Sequence, residues 1–141
     1  MSEPAPHPDD ALAVHLGARP FDVPVFDVPA FSDVAWSELA AHPFAAFGRC
    51  LNPACSQLFT PPRSWSRYCC AACRRLDEAE FRRIGHKVAP ALLAHRMGKY
   101  ERVDPALRNL SAAARRFIGD VQTQWLGSRN ARILTATRGQ E

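Results

Sequence analysis

The sequence predicts a small α-rich fold, and three observations lead to that class. The chain has 141 residues, enough for one modest core. A 3.6-residue apolar period runs through Leu107, Leu110, Ala114, Phe117 or Ile118, Val121 and Trp125. Five cysteines fall between Cys50 and Cys73, dense enough to organise a small domain from its middle. Hydrophobic residues make up 47% of the chain and charged residues 23%, which argues against wholesale disorder despite 12 prolines.

Residues 1–20 form the first segment, with Pro4, Pro6 and Pro8 spaced among Ser, Glu and Asp, and are expected to be a disordered N-terminus. Residues 21–48 are expected to be an acidic extended arm followed by a short helix. A repeat, Phe21-Asp22-Val23-Pro24 then Phe26-Asp27-Val28-Pro29, places two prolines five residues apart, which no helix interior tolerates. Ser32 or Asp33 can cap a helix through Val34, Trp36, Leu39 and Ala40 that stops before Pro43. Residues 49–84 hold the cysteine module and a helix from Ala71 to about Ile84, after which Gly85 offers a break. Residues 85–127 are the helical region. There Val88 to Met97 is a helix with Pro90 in its first turn, and Asp104-Pro105 caps and opens a long one ending at Gly127. Residues 128–141 are polar and are expected to trail off.

No run approaches the roughly 18 apolar residues of a membrane span. Glu3, Asp9 and Asp10 stand where a signal peptide would be basic, so a cytoplasmic protein without a membrane partner is expected. In a reducing compartment clustered cysteines are poor disulfides and good metal ligands. Cys50 and Cys55 are separated by four residues that include Asn52-Pro53, a turn. Thirteen residues then lead to Cys69, Cys70 and Cys73. Two close pairs joined by such a loop suit a tetrahedral Zn²⁺ site. Cys50, Cys55, Cys69 and Cys73 are the favoured ligands, with Cys70 as the alternative to Cys69. Four thiolates leave no open position for water, so the metal is expected to be structural. The five histidines are scattered and no Gly-rich phosphate loop is present, so no enzyme is expected.

Charge is unevenly distributed. Residues 1–49 carry two basic and seven acidic side chains, a net −5, and residues 50–141 carry sixteen basic and seven acidic ones, a net +9. Arg63, Trp65 and Arg67 interleave basic and aromatic side chains on the loop, and Arg74, Arg75 and Arg82 continue onto the helix. Arg75 and Arg82 lie on the side away from Leu76 and Ile84, and a surface of this kind can grip phosphates and stack on bases. The competing expectation is that Glu78 pairs with Arg82 and that Trp65 and Tyr68 pack over the knuckle, with Asp77, Glu78 and Glu80 diluting the positive face.

Cys50 and Cys55 around Pro53, Phe59 four residues on, a basic loop, and Arg67-Tyr68-Cys69 leading to Cys73 and a basic helix together resemble the CGNR-type zinc finger. The likeness covers about residues 49–83, with Arg74-Arg75 where that family has Gly-Asn-Arg. It implies a treble-clef-like knuckle with Cys50, Cys55, Cys69 and Cys73 as ligands, and a bacterial DNA-binding regulator. The expected function is thus a zinc-stabilised nucleic-acid-binding protein, DNA being the expected partner and transcription regulation the expected role. The alternative is a zinc-stabilised adaptor that contacts proteins through the same module and the acidic Phe-Asp-Val-Pro arm. Redox sensing through Cys70 is a third reading.

Overall fold

The computed structural model describes residues 28–40 and 47–141. The expected disordered segment 1–20, most of the Phe-Asp-Val-Pro repeat and the stop at Pro43 lie outside the described residues. The chain divides into two units, residues 1–35 and 36–141. In the first, α1 is the single turn Phe31–Val34. Ala30 opens it with extended backbone and no side-chain cap, so neither Ser32 nor Asp33 is the cap. The Ala30 carbonyl instead accepts from the Asp33 and Val34 amides, at 2.8 and 3.2 Å. Ala35 leaves helical geometry, and α2, Trp36–Ala40, begins the second unit, so the expected single short helix is two pieces.

The rest of the second unit is α-rich, with no strand among the described residues beyond one antiparallel bridge between Arg49 and Leu58. Around that bridge residues 47–59 form a tight loop. The Phe59 amide donates to the Gly48 carbonyl at 2.8 Å and the Cys50 amide to the Gln57 carbonyl at 2.9 Å. Gly48 has φ +82°, a left-handed conformation that favours glycine at the loop's base.

Two long helices follow: α3, Ala71–Gly98, and α4, Pro105–Arg138, packed against each other as an antiparallel hairpin. At 28 and 34 residues they are about 42 and 51 Å long. Gly85 does not divide α3, and Pro90 lies well inside it rather than in the first turn of a second helix. The flanks are strong helix formers such as Ala, Leu, Arg and Glu. Ile84, Val88, Ala91, His95 and Gly98, all half-buried or buried, form one inward stripe that carries the helix across both breakers.

The start of α4 follows the sequence rule. The Asp104 carboxylate accepts from the Ala106 and Leu107 amides at 2.9 and 3.3 Å, with Pro105 in the first helical position. Its end does not. Gly127 is passed and residues 128–138 are helical, so the expected polar tail is the last third of a long helix.

The hairpin packs through small and polar residues more than through large apolar ones. A Cβ on Gly98 would run into the Leu107 carbonyl and lie 2.7 Å from Ser111 Cβ, so only glycine allows the helices to approach this closely here. Ser111 donates to the His95 carbonyl at 2.8 Å and its hydroxyl lies 3.1 Å from His95 Nδ1. The buried apolar residues among those described include Cys50, Leu51, Pro53 and Ala114. Leu110 and Phe117 of the expected stripe remain 49% and 44% exposed, and Leu76 is 66% exposed with Asp77 buried in its place. No helix among the described residues is long and apolar enough to cross a membrane.

Candidate metal centre and basic groove

The first cysteine pair is held by a turn that its own sequence builds. Asn52 Oδ1 accepts from the Ala54 amide at 3.2 Å, and the Asn52 carbonyl accepts from the Cys55 and Ser56 amides at 3.0 and 2.9 Å. Ser56 completes it in the left-handed region, φ +48°. This costs a non-glycine residue some strain, offset here by Ser56 Oγ donating to the Pro53 carbonyl at 3.0 Å and by Arg49 Nη1 donating to the Ser56 carbonyl at 2.6 Å. The second pair is brought in by the Leu51 amide, which donates to the Arg67 carbonyl at 2.8 Å, and by the Cys69 amide, which donates to Cys50 Sγ at 3.5 Å. Cys73 then enters from the first turn of α3.

The four sulfurs of Cys50, Cys55, Cys69 and Cys73 lie within 4.8 Å of one another, with Cys55 to Cys69 at 3.8 Å and Cys69 to Cys73 at 3.7 Å. A tetrahedral ion with metal–thiolate bonds of about 2.3 Å separates its sulfurs by about 3.8 Å. The four cysteines are therefore positioned to bind a metal ion. Cys70, one residue from Cys69, is exposed and outside this group. It has extended backbone as the residue before α3, so consecutive cysteines point apart. Burial pushes the Cys50 and Cys69 thiols above their ordinary pKa. At Cys55 burial acts in the same direction but is outweighed by the Gln57 amide and the neighbouring thiols, which lower it.

A buried polar network that sequence reasoning missed lies behind this cluster. Arg129, 3% exposed, forms a two-point ion pair with Asp77, 2% exposed, at 2.7 and 3.3 Å. The same guanidinium donates to the Leu51 carbonyl at 3.0 Å and to Glu80 at 3.2 Å. Tyr68 donates its hydroxyl to Asp77 at 2.9 Å, and burial, reinforced by that carboxylate, raises the phenol pKa. Glu80 also accepts from Trp125 Nε1 at 2.6 Å and from Arg132 at 2.7 and 2.8 Å. Arg132 is the largest cause of holding its carboxyl at a pKa of about 2. Phe81 lies beneath the Arg129 guanidinium, 5.1 Å from ring centroid to Cζ, and meets Trp125 edge to face at 5.4 Å. Leu51 follows Cys50 and Tyr68 precedes Cys69, so the network braces a neighbour of one cysteine from each pair. Gln140 adds a bond from its side chain to the Cys55 carbonyl at 2.9 Å.

Asp77 and Glu80 thus do not dilute a basic face; they are turned inward and neutralised. Glu78 is the outward acid, and it meets Arg74 at 3.9 Å rather than Arg82. One signal for the missed residues was present: Trp125, Arg129, Arg132 or Ile133, and Ala136 continue the helical period beyond Gly127, with arginine in an inward position.

Of the six residues expected to contact nucleic acid, four are brought together. Arg63, Trp65, Arg67 and Arg74 line one groove of about 540 Å³ with Tyr68 and Cys70. Arg63 stacks its guanidinium 5.5 Å from the centroid of Trp65, whose side chain is exposed rather than packed over the knuckle. Arg75 and Arg82 are exposed on α3 outside the groove lining.

No known protein family, curated protein or solved structure matches this chain. The likeness to the CGNR-type zinc finger therefore rests only on the residues that carry it, and what the geometry adds is the four-cysteine cluster.

Proposed function

We propose that the protein is a zinc-stabilised nucleic-acid-binding protein, with Zn²⁺ held by Cys50, Cys55, Cys69 and Cys73 as a structural ion. The sulfur separations and the all-thiolate donor set support zinc, since soft thiolates in tetrahedral array suit it. The ion supplies cross-linking of the knuckle to the start of α3. The chain's own residues do the binding. The observation that carries the nucleic-acid reading is the groove beside the cluster, in which Arg63, Arg67 and Arg74 surround an exposed indole with no carboxylate in the lining. With Asp77 and Glu80 turned inward, the outer face of the module is more cationic than its composition states. In this reading the protein is a DNA-binding regulator of the kind the zinc-finger resemblance implies.

The test is binding of labelled DNA and RNA to the zinc-loaded protein at two salt concentrations, with an Arg63→Ala/Arg67→Ala/Arg74→Ala variant alongside. The expected result is affinity that falls steeply with salt and a shallower slope in the variant, because each lost phosphate contact removes about 0.7–0.9 from the log–log slope. A folded, zinc-loaded protein that binds neither nucleic acid would overturn the reading in favour of the protein-interaction adaptor.

A further inference from the structure

The groove has features that a duplex does not call for. Trp65 is 65% exposed on a loop, with the Arg63 guanidinium over its ring at 5.5 Å and the rest of the indole open to solvent. Bases in a duplex show proteins their edges; their faces are covered by neighbouring pairs. Beside the ring the floor of the groove is the start of α3, at Cys70 and Ala71. Cys70, which precedes the helix, gives no side-chain cap bond, unlike Asp104 at the start of α4. Arginines in a lining without a carboxylate are a phosphate-binding arrangement. The groove volume, about 540 Å³, is within the range of small-molecule sites and is enough for a nucleotide. The first turn of α3, where a helix docked in a major groove would read bases, is Ala71, Ala72, the cluster cysteine Cys73 and Arg74, so Arg74 is its one long polar side chain, and that side chain lines the groove.

We propose that this groove selects unpaired nucleic acid, with a base stacked on Trp65 and its phosphate held by Arg74. The inference rests on the nucleic-acid reading above and specifies its substrate as a single strand. Arg63, already over the indole, positions the ring and adds charge. Selectivity comes from stacking, which every base can provide, so little sequence preference is expected.

The test uses the full-length zinc-loaded chain and four probes of one sequence: a single strand of DNA, the same strand of RNA, the DNA duplex, and a DNA strand with abasic sites that keeps every phosphate. Binding is read by anisotropy for wild type, Trp65→Ala, Trp65→Phe and Arg75→Ala/Arg82→Ala. Trp65 is exposed, so its substitution leaves zinc content and helicity as controls of folding. The expected result is single strand preferred over duplex by about tenfold or more, a loss of similar size for the intact strand in Trp65→Ala, partial recovery in Trp65→Phe, and wild-type affinity for the abasic strand as weak as that of Trp65→Ala for the intact one. Equal or tighter duplex binding, lost in Arg75→Ala/Arg82→Ala and untouched in Trp65→Ala, would overturn the inference while leaving the nucleic-acid reading in place. Binding to none of the four probes would remove both.

Discussion

Arg129 and Asp77 stand 52 residues apart in sequence and meet in a two-point ion pair with side chains 4% and 0% exposed. The pair sits where the two helices and the cysteine knuckle converge, because the same guanidinium also reaches the Leu51 carbonyl. A buried pair of this sort is no more stabilising than well-packed apolar residues would be, but removing one partner strands the other. Arg129→Met is therefore expected to lower stability by about 3–5 kcal/mol, leaving the buried Asp77 carboxyl without its guanidinium partner. Arg129→Met combined with Asp77→Leu should recover much of that loss. The measurement is the denaturant midpoint of the zinc-loaded protein for both single variants and the pair. Additive losses would show that the two residues do not act as one unit.

That pair also shows where the sequence stopped being legible. The Asp104-Pro105 start of α4 could be read because it depends on neighbouring residues, and the cysteine cluster because two close pairs joined by one short loop have the spacing of a metal site. Between Cys69 and Cys70 the sequence favours Cys69, the one in the cluster, but keeps Cys70 as an alternative, since the choice turns on which residue is the last extended one before α3. The ends of the helices were misread for a common reason. Gly85 and Gly127 are weak helix formers, but propensity costs of about 1 kcal/mol per glycine are overridden when the facing helix supplies an inward stripe on both sides. Arg129 hid in plain view because a charged residue in an inward position breaks the apolar pattern by which such positions are recognised, and its partner is set by tertiary structure alone.

The glycines themselves give a paired prediction. Nothing lies within 4 Å of a Cβ placed on Gly85, so Gly85→Ala is expected to stabilise the protein by about 0.5–1 kcal/mol through helix propensity. Gly98→Ala meets the backbone of Leu107 and the side chain of Ser111, and is expected to destabilise by about 1–3 kcal/mol as α3 and α4 are forced apart. Thermal unfolding of both variants checks the pair. If both change the midpoint in the same direction, the close crossing at Gly98 is not what holds the hairpin turn.

Glu80 links stability to acid. Its pKa is lowered from 4.5 to about 2 in the folded protein, chiefly by Arg132. A depressed carboxyl stabilises the fold above its unfolded pKa, and this contribution is lost as pH falls from about 4.5 toward 2. At most about 3 kcal/mol is at stake. Glu80→Gln should therefore be less stable than wild type at neutral pH and approach it near pH 2, the difference closing over that interval. Urea midpoints at a series of pH values measure it, both proteins losing thiolate-bound metal in acid alike. A difference that stays constant with pH would mean that Glu80 contributes packing rather than charge.

Metal removal should be felt at the far end of the sequence. Cys69→Ser is expected to lose the ion, whereas Cys70→Ser, altering an exposed residue outside the cluster, should retain one per chain. In wild type a chelator frees the knuckle, and with it Leu51 and Tyr68, the two anchors through which Arg129 and Asp77 hold the C-terminal third of α4. Hydrogen exchange should consequently accelerate across Trp125–Arg138 on chelation while the capped start of α4 near Asp104 changes little. Uniform acceleration along α4 would mean that the hairpin unfolds as one unit with the knuckle. No change at all would mean that the network behind the cysteines stands without the metal, and the ion would then serve only the loop that carries the groove.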